Sequence, residues 1–217
     1  MSKNKVISGT FGWLFIGLIV CFITSYVTTI SENIFYAVYG ALGGYSYLLF
    51  TILELGLAIY LSVRIFKMSP LLAKIVYILY TLLTGLTLTG LLMVYTASSI
   101  CFVFLATALV FGSFALIGKY TKVDMSRWTI YLFIALIAIL ILNLINIFLM
   151  NNTLNMIVCT VSILLFCAYT AYDVQKAYRL SQSQAVEQIS IYCAFCLFLD
   201  FINLFLHLLR LFGRTRD

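Results

Sequence analysis

Seven apolar runs, each close to the roughly 20 residues a helix needs to cross a bilayer, dominate this 217-residue chain. They cover about residues 11–30, 42–63, 71–93, 98–118, 128–149, 153–173 and 190–211. A backbone in hydrocarbon must satisfy its own hydrogen bonds, and segments of this length do so as helices. The runs therefore predict an all-α membrane protein, a seven-helix bundle forming one polytopic domain over residues 1–217. Apolar residues make up 64% of the chain, against roughly 45–50% in soluble domains, which excludes a water-soluble fold. No Ala-x-Ala-like site follows the first run, so it is expected to stay as a helix and not to leave as a signal peptide. Residues 33–41 either extend the second helix or lie along the interface. Pro70, the sole proline, opens the third helix, where its missing N–H does no harm.

The net charge of +6 comes from small basic groups between the apolar runs, with no continuous basic face, so nucleic acid is excluded as a partner. The bases read as topology signals. A cytoplasmic N-terminus places Lys3, Lys5, Arg64, Lys67, Lys74, Lys119, Lys122, Arg127, Lys176 and Arg179 inside, and leaves the three outer loops without Lys or Arg. Seven crossings then put Arg210, Arg214 and Arg216 outside, against the rule. Either that tail is translocated or the seventh helix does not fully cross. The six cysteines, Cys21, Cys101, Cys159, Cys167, Cys193 and Cys196, all fall inside apolar runs and read as reduced, membrane-buried thiols. Gly40 with Gly44, Thr81 with Gly85 and Thr89, and Ala108 with Gly112 have the small-residue spacing that lets helices approach in lipid.

An ionisable residue at the bilayer centre costs about 2.5–3.5 kcal/mol on insertion scales and is a functional candidate by default. Glu54 lies ten residues before Arg64, about 15 Å above the cytoplasmic end of its helix. Asp173 closes the sixth helix on the cytoplasmic side, and Asp200 lies about three turns into the seventh. On that last helix Cys193, Cys196, Asp200, Asn203, His207 and Arg210 share an arc of roughly 100°. A polar stripe on an apolar helix faces protein or water, so the seventh helix is expected at the centre of the bundle. Asn203 and His207 also suit plain interhelical hydrogen bonding. The Cys193-x-x-Cys196 spacing shares its face with His207 alone, two turns or more away, which favours packing over a metal or redox centre. Asp173 and Asp200, on consecutive antiparallel helices, are placed to meet, and two touching carboxylates tend to share one proton. The alternative is a surface pair of Asp173 with Lys176 or Arg179.

GLTLTGLLMVYTASSI from Gly85, TALVFGSFALIGKYTKVDMS from Thr107, TAYDVQK from Thr170 and LFLDFINLFLHLLRLFGRTRD from Leu197 resemble the Bax inhibitor-1 (transmembrane Bax inhibitor motif) family, especially its bacterial branch. The likeness covers roughly two thirds of the chain, and YD-x-QK with LDFINLF are its most specific parts. It implies a pH-sensitive calcium leak in a bacterial cytoplasmic membrane, gated by proton sharing between Asp173 and Asp200, with Arg64 pairing with them when closed. It implies an ion path past Glu54, Asp200 and Asn203, and a weak Ca²⁺ site of Glu54, Asp173 and Asp200. Gly90 stands where relatives often have proline, and His207 at a position usually non-ionisable. Ca²⁺ takes about six to eight oxygens, so three carboxylates suit passage, with calcium as the transported ion and no resident cofactor.

The other function expected of such a chain is regulation, by docking on membrane proteins such as a quality-control protease. An intramembrane aspartyl protease would carry GxGD where this chain reads Phe198-Leu199-Asp200, and a Pro-Ala-Leu element that is absent, so no enzyme activity is expected. A retinal protein is excluded because the seventh helix has no lysine for a Schiff base.

Overall fold

The computed structural model describes residues 2–40, 45–182 and 186–216. Its long helices are α1 (Ser2–Ile30), α2 (Ser46–Arg64), α3 (Pro70–Val94), α4 (Ala97–Tyr120), α5 (Thr129–Leu149), α6 (Asn152–Leu180) and α7 (Val186–Phe212). All seven are long and apolar enough to cross a membrane. Among the described residues there is no strand, only an isolated antiparallel bridge between Tyr95 and Thr215. Pro70 occupies the first turn of α3, where the Ser69 hydroxyl oxygen accepts the Leu72 N–H at 3.3 Å.

Glu32–Phe35 is a single helical turn capped by Ser31, followed by a π turn at Tyr36–Gly40. Residues 41–44, and with them Gly44 and the expected start of the second span at 42, lie outside the described residues. Asp173 does not close its helix: α6 runs on to Leu180, which places Asp173 about two turns inside it. Hydropathy falls after Asp173 while Val174–Leu180 keeps good helix formers, and long Lys and Arg side chains reach the interface from such a turn.

The helices divide between two compact units. The first holds residues 1–96, 180–198 and 215–217. Here α1 lies along α3 because glycines remove the side chains between them. A β-carbon on Gly85 would stand 2.6 Å from the Cys21 carbonyl oxygen, and one on Gly17 would meet the Tyr77 hydroxyl. Tyr77 donates to the Trp13 carbonyl at 2.9 Å, and Tyr80 packs edge-on against Phe195 and Phe198 of α7. Glu187, in the first turn of α7, pairs with Lys74 at the start of α3 at 2.6 Å. The tail returns to the far end of α3, where the Arg216 N–H donates to the Val94 carbonyl at 2.8 Å. Thr215 and Arg216 thus sit at the end of α3 opposite Lys74.

The second unit holds residues 97–179 and 199–214. Leu132 and Ile139 of α5 pack on Val158, Leu165 and Tyr172 of α6. Phe201 of α7 meets Phe104 and Phe111 of α4 edge-on. The close approach in this unit is at Gly118, where a β-carbon would meet the backbone of Ala171. Ala108 is exposed and a β-carbon on Gly112 would touch nothing within 4 Å. Small-residue spacing therefore marks a helix contact at Thr81, Gly85 and Thr89 but not at Ala108 and Gly112, and Gly40 meets only the Tyr36 ring of its own turn.

Candidate ion-path and proton-sharing site

Glu54 projects from α2 onto a threonine face of α3. Its two carboxylate oxygens accept from Thr84 Oγ1 at 2.7 Å and Thr87 Oγ1 at 2.9 Å. Each hydroxyl also reaches a carbonyl of its own helix, Tyr80 at 3.1 Å and Thr84 at 2.9 Å. A hydroxyl has one proton to give, so it serves either the carboxylate or the main chain. When the main chain takes it, four side-chain oxygens of Glu54, Thr84 and Thr87 are left as acceptors. The threonine partners escaped the sequence reading, although their i, i+3 spacing in TLLTGLT was the available signal.

In the second unit, α6 and α7 run antiparallel with a register legible from their contacts. The imidazole of His207 stacks on Phe166, ring centroids 6.0 Å apart. Asp173 lies within electrostatic range of Asp200, and the Arg210 guanidinium lies within hydrogen-bonding reach of Cys159. Residue numbers in these three pairs sum to 373, 373 and 369, so one straight seam joins them. Asp173 and Asp200 are both buried, at 7% and 3% exposure. Asp200 Oδ2 has no hydrogen-bond partner among the described residues. Asp173 takes the long contact of the alternative reading, 3.9 Å to Lys176 Nζ, while Arg179 pairs elsewhere.

The other face of the same motif holds a loop. Tyr172, Gln175 and Arg179, at i, i+3 and i+7 on α6, share one side of the helix. The Tyr172 hydroxyl accepts from Thr129 at 3.0 Å, and the Gln175 amide accepts from the Met125 N–H at 2.9 Å and donates to the Val123 carbonyl at 2.8 Å. Arg179 reaches Asp124 at 3.0 Å. The YD-x-QK signature thus divides its labour, with Asp173 toward α7 and Tyr172 and Gln175 clasping the α4–α5 loop.

The Asp124 carboxyl is held below its ordinary value by the Ser126 hydroxyl and N–H, with Arg179 adding to the effect. A lowered folded value stabilises above the ordinary aspartate pKa of about 3.9, and that contribution disappears as pH falls through the folded value. Asp124→Asn at neutral pH is expected to loosen the clasp as acid does, and Gln175→Ala more so. Tryptic cutting at Lys122 and Arg127 measures it. Cutting no faster than in the parent would show that the loop is held by other contacts.

Arg64 is exposed at the end of α2 and forms no ion pair among the described residues. No three His, Cys, Asp or Glu side chains among the described residues gather as around a metal ion. The Asn203 amide donates to Leu199 of its own helix at 2.8 Å, and His207 Nδ1 has no partner among the described residues. Among the described residues the six cysteines form no disulfide; Cys193 is buried and Cys101 is exposed on α4.

These features define a polytopic helical membrane protein with acidic side chains set among its spans. The sequence profile described as inhibitor of apoptosis-promoting Bax1 matches residues 3–217, and the chain belongs to this Bax inhibitor-1 family. It is 37% identical to the inner membrane protein YbhL of Escherichia coli K12, over 95% of this chain and 90% of that one. An uncharacterized protein of Borreliella burgdorferi is 31% identical over 99% of this chain and 94% of its own. An uncharacterized membrane protein of Streptococcus pyogenes serotype M1 is 34% identical over 76% and 72%.

Proposed function

We propose that this protein is a pH-sensitive calcium leak of a bacterial cytoplasmic membrane, with its N-terminus cytoplasmic, in which Asp173 and Asp200 gate passage by sharing a proton. The observation that carries the reading is the buried aspartate pair on α6 and α7, with the Lys176 ammonium 3.9 Å from Asp173. A second proton neutralises the pair and loss of both leaves two like charges, so the pair responds to pH by changing how strongly α6 and α7 repel. Glu54 supplies the path. With Thr84 and Thr87 it offers four oxygens, fewer than the six or so Ca²⁺ prefers, so water completes the shell and binding stays weak enough for release. Arg64, one of the bases on the cytoplasmic side of this topology, closes the path by pairing with the aspartates in another state.

Glu54→Gln keeps the side-chain volume and removes the charge. Calcium release from loaded proteoliposomes is expected to fall about tenfold, the loss of about 1.4 kcal/mol of cation stabilisation. Unchanged release would take Glu54 off the path.

A further inference from the structure

The seam between α6 and α7 continues past the aspartates. His207 is 7% exposed with Nδ1 unpartnered, and Asp200 is 3% exposed with Oδ2 unpartnered. Both stand on one face of α7, seven residues apart, about 10 Å along the axis. Asn203 lies between them, with one of its two amide protons given to the Leu199 carbonyl. Across the seam, Ser162 and Thr170 are fully buried, and each gives its proton to its own helix at 2.7 and 2.8 Å, leaving hydroxyl lone pairs. Buried polar atoms are partnered by protein or by ordered water. Here protein supplies nothing to two of them, and a run of acceptors lies between.

We propose that this seam is hydrated and that His207 relays protons along it between the Arg210 end and Asp200. About three waters, at about 2.8 Å per hydrogen-bonded step, span the interval. Neutral imidazole accepts at one ring nitrogen and donates from the other. A proton taken up on one nitrogen releases the proton on the other to the next water; the ring ends neutral with its tautomer reversed and resets by exchange with water. Phe166 stacks on the ring and fixes its plane without occupying either nitrogen. The ionisable groups along the run are Arg210 beside His207, Cys159 beside Arg210, and Cys167, Tyr169 and Lys176 of α6 around the aspartates. Among the described residues no ionisable group of α4 or α5 acts on His207. The relay needs no calcium and is independent of the calcium reading.

His207 is the only histidine, so its ring nitrogens are assignable without mutation. In ¹⁵N-histidine protein in lipid nanodiscs, the ring-bound proton is expected to exchange with water and the two tautomers to interconvert. A single tautomer with no exchange with water overturns the proposal, and this test uses the unaltered chain. In calcium-free proteoliposomes carrying an internal pH dye, a step from about pH 8 to about pH 6 is expected to acidify the lumen faster than in empty vesicles. His207→Phe, which keeps the stack on Phe166, is expected to slow that entry about tenfold or more. Parent vesicles no faster than empty ones, or a variant as fast as the parent, overturns the relay. Calcium release, measured separately, passes or fails on its own.

Discussion

Gly85→Val and Gly118→Val are expected to yield protein that unfolds at least about 6 °C below the parent in detergent or does not accumulate at all. At Gly85 the first added carbon falls 2.6 Å from the Cys21 carbonyl oxygen and 2.8 Å from the Thr24 β-carbon. At Gly118 it falls on the backbone of Ala171. Main chain cannot swing aside like the tip of a side chain, so two helices must part. Overpacking of this kind costs about 3 kcal/mol or more, and each kcal/mol moves the midpoint by roughly 2–4 °C in a chain of this size. Gly112→Ala, where nothing lies within 4 Å, is the matched control and is expected to leave the midpoint unchanged. Thermal unfolding followed by size-exclusion recovery measures all three. A Gly85 or Gly118 variant as stable as the control would mean the helices do not touch there.

Asp173→Asn and Asp200→Asn are each expected to flatten the pH response of calcium release, with the double variant adding little. Carboxylates that share a proton titrate as a pair, so removing either removes the shared site. Groups acting as one unit are non-additive in a double-mutant cycle. If the two single effects add instead, the carboxylates titrate apart and do not form one shared-proton gate.

The seven helices were legible because each apolar run matches the bilayer's thickness. Their ends were not, because hydropathy reports lipid contact and α6 continues through seven residues after Asp173, of which Gln175 and Arg179 hold the α4–α5 loop. The stripe on α7 was legible as a face, and the antiparallel register with α6 follows from it. What that face meets was not: nothing in the spacing of Asn203 shows that its amide turns back on Leu199, or that Phe166 stacks on His207. Small-residue spacing named both a real contact, at Gly85, and an empty one, at Gly112, because spacing says which residues share a face and not which face is covered. The clasp of Gln175 on the α4–α5 loop joins residues 50 apart or more, a distance over which periodicity carries no information.

The most direct measurement is calcium release from proteoliposomes of the purified parent protein, loaded with calcium and stepped across about pH 5–8, against empty vesicles. A release that exceeds empty vesicles and changes with pH, and whose pH dependence is lost in the Asp173→Asn/Asp200→Asn double variant, is the predicted result. Release no faster than empty vesicles at every pH would contradict the leak and turn attention to regulation by docking on other membrane proteins.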